Sequence, residues 1–102
     1  MSIEPENFNK AFAEFQLFGP RRRVPIEQRW REILPSVDPL EFAALEAKCK
    51  EIEAFALGLA EQVRDKTMSD KAAQTQLAQQ FPILNQERLD HTWSQAMYFS
   101  FK

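Results

Sequence analysis

The sequence predicts an all-α protein, an irregular five-helix bundle organised around one long central amphipathic helix at about residues 39–66. Three observations carry this expectation. First, Phe42, Leu45, Cys49, Ile52, Ala56, Leu59 and Val63 recur at alternating steps of three and four, which at 100° per residue places them along one face. Second, prolines and capping residues fall at the expected helix ends. Third, no alternating run of β-branched residues and no Asn-Gly or Asp-Gly hairpin offers a strand reading.

The long helix has a clear start. Asp38 suits the N-cap, Pro39 the first turn, and Glu41 stands three residues after the cap as in a capping box, while Val37 and Phe42 have the spacing of a hydrophobic staple. Phe55 and Ala60 flank its apolar stripe. Glu46, Glu53 and the other acids of this helix are expected on the solvated side, with Glu46–Lys50 at a supportive i, i+4 spacing. At ~1.5 Å per residue the element would be about 40 Å long.

The preceding elements are shorter. Pro5 can open a helix running to Phe18, closed by Gly19 and Pro20, with Phe8, Phe12, Phe15 and, at the same spacing, Phe18 on one side. Those rings are expected to cover the core; the alternative is an aromatic arm. Pro25 then opens a helix to about Leu34, with Ile26, Trp30, Ile33 and Leu34 on one face and Gln28, Arg29, Arg31 and Glu32 on the other.

After the long helix, Thr67 and Asp70 resemble a capping box, with Ser69 as a competing cap. The glutamine-rich helix that follows has a thin apolar face of Ala73, Leu77 and Phe81, and Pro82 ends it. Asn85 caps the last helix, with Glu87 in its first turn and Leu84 and Leu89 spaced for a staple. Leu89, Trp93, Ala96 and Met97 share a face. The tail Ala96-Met97-Tyr98-Phe99-Ser100-Phe101 is apolar on nearly every side, so it should be buried within the fold or against another molecule.

Size and composition fit a single helical domain over residues 1–102. The chain is 44% hydrophobic and 27% charged, a globular balance. No apolar run approaches the ~20 residues of a membrane span, and the acidic start does not resemble a signal peptide, so a cytoplasmic protein is expected with no membrane partner. A single cysteine precludes an internal disulfide. The net charge of −2 conceals an asymmetry: residues 20–31 hold five Arg against one Glu, or +4, leaving −6 for the rest.

Catalytic groups are scarce. His91 is the only histidine, read as a surface residue, and Cys49 the only cysteine, read as a small buried hydrophobe on the central stripe. No nitrogen or sulfur ligands cluster as zinc would require, and two glycines cannot make a phosphate-cradling loop. The expectation is a non-enzyme with no cofactor, no metal and no small-molecule substrate.

The expected work is binding another protein, or a second copy of itself, as a small interaction or regulatory module. Two sets of residues are its candidates: the basic group Arg21, Arg22, Arg23, Arg29, Trp30 and Arg31, which also reads as a solvated or intramolecular helix joint, and the tail aromatics Tyr98, Phe99 and Phe101. Heptad-like spacing along the long helix would also allow pairing with a second copy, giving a homodimer. The alternative is a nucleic-acid-binding regulator using the arginines at 21–31, whose forks suit phosphates.

Two local likenesses stand out. Leu77-Ala78 followed by Phe81 resembles the first helix of a helix-turn-helix, with Pro82 where glycine is usual. Phe81-Pro82 between short helices resembles the turn of ubiquitin-binding CUE domains, with Trp93-Ser94 where that family has paired leucines. Each covers a short part of the chain, and neither carries a function across.

Overall fold

A computed structural model describes residues 3–16 and 23–101. Among them are five α-helices and no strand: α1 (Pro5–Phe15), α2 (Ile26–Ile33), α3 (Phe42–Arg64), α4 (Asp70–Gln80) and α5 (Gln86–Ser100). The fold is all-α, as the hydrophobic spacing predicts. No helix among these residues is long and apolar enough to cross a membrane. Packing divides the chain into two units, Met1–Cys49 and Lys50–Lys102, so that α3 contributes its first residues to one and the remainder to the other.

Unit 1 is built on a run of aromatic rings. Phe8, Phe12 and Phe15 follow one another along α1 at 5.9 and 6.4 Å between centroids, Phe15 stacks on Trp30 at 6.3 Å, and Trp30 meets Phe42 at 5.7 Å. Phe8, Phe12 and Trp30 are fully buried. The indole Nε1 of Trp30 donates to the carbonyl of Ala11 at 2.9 Å, so the largest buried side chain also has its polar atom bonded. The rings of α1 therefore cover a core. Its helical residues end at Phe15, short of the expected Phe18, and residues 17–22 lie outside the described chain.

Pro25 serves as the extended N-cap of α2 rather than as its first helical residue. The long helix also starts differently from expectation. Asp38 accepts from the amide of Leu40 at 2.9 Å, but Pro39–Glu41 form a turn of 3₁₀-helix before the α-helix begins at Phe42. From there Phe42, Leu45, Cys49, Ile52, Ala56 and Leu59 are all buried, with Val63 half-buried.

Unit 2 corrects one cap. Lys66 adopts a left-handed conformation (φ 63°), the amide of Lys66 donates to Val63 O, and that of Thr67 donates to Gln62 O. This pair of bonds is a Schellman closure of α3. The Thr67 hydroxyl also donates to Gln62 O at 3.1 Å, so Thr67 belongs to the end of α3. Ser69 instead caps α4, its hydroxyl accepting from the Ala72 amide at 3.1 Å. Asn85 caps α5 as expected, accepting from the Arg88 amide at 2.8 Å.

Two side-chain bonds fix α5 within this unit. Trp93 Nε1 donates to Asp70 Oδ2 at 3.1 Å, and Arg64 donates to the carbonyl of Ser100. Phe55 and Phe81 meet edge-on at 5.4 Å.

Gly58 lies within α3 with open space where a Cβ would stand. Glycine costs about 0.5–1 kcal/mol relative to alanine inside a helix, because it loses more backbone freedom on folding. Gly58→Ala is therefore expected to raise stability by about 0.5–1 kcal/mol, read as an upward shift of the urea midpoint with unchanged slope. A fall would mean that the position needs its glycine.

Candidate functional site

The basic group does not form one displayed surface among the described residues. Arg29, expected on the polar face of α2, is buried: its Nε donates to Val24 O at 3.0 Å and its Nη1 to Glu14 O at 2.6 Å, with the Glu14 carboxylate 3.6 Å away. At the C-terminal end of α1 the guanidinium meets the Glu14 carbonyl, where the helix dipole favours a cation. Trp30 is buried beside it, in the ring run described above. Both are buried and bonded between α1 and α2, not displayed on a surface. Arg23 and Arg31 are exposed, and Arg31 pairs with Glu27 at 3.1 Å, one helical turn away. Arg21 and Arg22 lie outside the described residues.

The tail is arranged differently. Ala96 and Ser100 turn inward, whereas Tyr98 is 60% exposed, Phe99 44% and Phe101 68%. Tyr98 and Phe99 touch edge-on at 5.5 Å. One side of α5 thus supplies the core and the rest leaves aromatic rings in solvent.

Beside Phe99 a groove of about 240 Å³ runs between α3 and α5. Glu53, Ala54 and Leu57 form its α3 wall, and Thr92, Gln95, Ala96 and Phe99 its α5 wall. The α5 residues follow i, i+3, i+4, i+7, the spacing of a single helix face. Alanines at 54 and 96 leave the hollow, and Leu57 and Phe99 make it apolar.

Among the described residues, Glu53 is the one ionisable side chain lining this groove. The sequence places it on the solvated side of α3; the structure half-buries it, because the wall of α5 covers that edge of the helix. Loss of water pushes its carboxyl above the ordinary glutamate range. It makes no hydrogen bond or ion pair among the described residues, unlike Glu14 or Glu27.

This has a pH consequence with a definite sign. A carboxyl whose pKa is higher in the folded than in the unfolded chain costs nothing while both states are protonated. The cost appears as pH rises above about 4 and is complete above the folded pKa. Glu53→Gln is therefore expected to be slightly more stable than wild type at pH 7, by about a few tenths of a kcal/mol after allowing for solvent screening, and equal to it near pH 3. Paired urea titrations at the two pH values check this. Equal stabilities at pH 7 would mean that the carboxyl is fully hydrated.

His91, read as a surface residue, is half-buried. Burial first, and then the Arg88 guanidinium, hold its imidazole below the ordinary histidine value, with Glu87 opposing them. It favours the neutral form, so protonation on acidification opposes folding. Cys49 is fully buried. Among the described residues no three His, Cys, Asp or Glu side chains gather as a metal site would require.

A second depression, about 300 Å³ between α4 and α5, includes Asp70, Gln74, Gln86 and Trp93. Asp70 there already accepts from Trp93 and Gln74, so the groove beside Phe99 is the stronger candidate. No protein-family model, curated protein or solved structure matches this chain.

Proposed function

We propose that this protein is a non-enzymatic helical interaction module, and that its contact surface is the α3–α5 groove with the aromatic end of α5. The observation that supports this reading is the exposure of Tyr98, Phe99 and Phe101 within four consecutive positions, Phe99 at the edge of an apolar groove. Isolated exposed hydrophobic residues are ordinary on protein surfaces; a contiguous apolar patch marks a site where another molecule docks. Aromatic rings also dominate the energetics of protein interfaces.

The test compares wild type with a Phe99→Asp, Phe101→Asp double variant. Both residues are exposed, so the variant should keep its helical circular dichroism. Affinity capture from the native cell should lose its specific partner in the variant, and sedimentation at several concentrations reports whether a second copy is that partner. Identical capture and identical sedimentation for the two proteins would remove this surface from consideration.

A further inference from the structure

We infer that the α3–α5 groove receives an amphipathic helix of a partner protein, and that one lysine or arginine on that helix pairs with Glu53. The inference rests on the reading of this face as a contact surface and adds the chemistry of the occupant.

The argument begins with what the groove lacks. A carboxylate removed from water ordinarily acquires a cation or amide donors, because desolvation of an unpaired charge is costly. Glu14 in unit 1 has Arg29 beside it. Glu53 stands half-buried among Ala54, Leu57, Ala96 and Phe99 with no such partner among the described residues. Its carboxyl is accordingly held above the usual range. Among the described residues, Thr92 and Gln95 are the other polar members of the lining, and neither is cationic. The groove therefore presents one anionic point in an apolar channel.

The complementary ligand has an apolar face and a single cation. The stem of a lysine or arginine supplies methylenes to the channel and delivers its charge at the end. Phe99, on the opposite wall, adds an aromatic ring whose face attracts a cation, beside the carboxylate. A helix is the element that fits. The groove lies between two helices, and the ridge of a third enters such a groove by the same packing that joins helices inside proteins. Residues at i, i+3, i+4 and i+7 of α5 line it, so a straight element of two turns can follow its length.

The pairing would also select among partners. An acidic residue in the same place would meet Glu53 at close range in an apolar setting, and a neutral one would leave the carboxylate buried without compensation.

The experiment uses the full chain and three fluorescent probe peptides, each a leucine–alanine amphipathic helix of about 16 residues, long enough to form helix in isolation. They differ at one position in the leucine stripe, which carries Lys, Met or Glu. By anisotropy the Lys peptide should bind wild type about tenfold more tightly than the Met peptide, as a charge-assisted bond replaces a neutral contact. The Glu peptide should bind weakest. Glu53→Gln should erase the preference for Lys over Met, and Glu53→Lys, checked for intact helicity, should favour the Glu peptide.

Equal binding of the Lys and Met peptides to wild type, or a Lys preference that survives in Glu53→Gln, would overturn the pairing. If Phe99→Asp abolishes that equal binding, the contact surface stands and only the charge selection falls. If none of the peptides binds, or if binding ignores Phe99→Asp, the inference falls together with the surface. Displacement of the Lys peptide by hexylamine at comparable concentration would reassign the groove to a small cation. A dimer in sedimentation that Glu53→Gln abolishes would reassign it to a second copy of this chain. Both of those outcomes count against the inference.

Discussion

Ile52→Asp is expected to unfold most of the protein. Ile52 is completely buried on the stripe of α3. An aspartate there would remove its hydrophobic contribution, about 1.5–3 kcal/mol for a side chain of this size, and place an unpaired carboxylate in an apolar setting. The two effects together reach several kcal/mol, a large share of the 5–15 kcal/mol that ordinarily holds a domain folded. Circular dichroism should show most of the helical signal lost at 25 °C, or a thermal midpoint lowered by well over 10 °C. Ile52→Val, which removes one methylene, is the control and should cost about 0.5–1.5 kcal/mol. Similar small losses in both variants would mean that the buried face of α3 has been misplaced.

Arg29→Ala should destabilise the protein by about 2–4 kcal/mol, most of it from groups left unsatisfied rather than from the lost side chain itself. The carbonyls of Val24 and Glu14 would lose a charged donor, and the partly buried Glu14 carboxylate its counterion. Arg31→Ala removes the same residue type from the same helix, but from an exposed pair one turn apart, worth about 0.3–0.5 kcal/mol. Urea midpoints of the two variants should therefore differ widely. Arg29→Lys should fall between them, because an ammonium cannot reproduce the planar fork that spans two carbonyls. Near-equality of Arg29→Ala and Arg31→Ala would show that the guanidinium is solvated.

Much of the helical layout is legible in the sequence because it depends on local rules. The stripe from Phe42 to Leu59 follows from periodicity alone, and Asn85 and the stop before Pro82 follow from backbone chemistry. The choice between Thr67 and Ser69 does not, since both have the right side chain. It was decided by where α3 ends, and Lys66, at a left-handed position usually occupied by glycine, gives no signal for that closure.

The candidate site was less legible, for a different reason. A helical wheel sorts residues by angle, but burial at the margins of a face depends on which neighbour lies over it. Arg29 falls on the polar side of α2 and is drawn inward by the carbonyl end of α1. Glu53 falls on the polar side of α3 and is half-covered by α5. Phe99 and Phe101, the apolar residues least expected in water, have no covering element among the described residues. Charge and hydropathy patterns identify such residues as unusual; only their neighbours say whether each one is structural or displayed.

Trp30 and Trp93 lie one in each unit, in unlike surroundings: one indole is sealed among aromatic rings and bonded to a carbonyl, the other is bonded to a carboxylate. The chain thus carries a built-in optical label for each of its halves. Emission from Trp93→Phe reports melting around α1 and α2, and emission from Trp30→Phe reports melting around α4 and α5. Coincident curves would indicate one cooperative transition, and separated curves two independently melting segments.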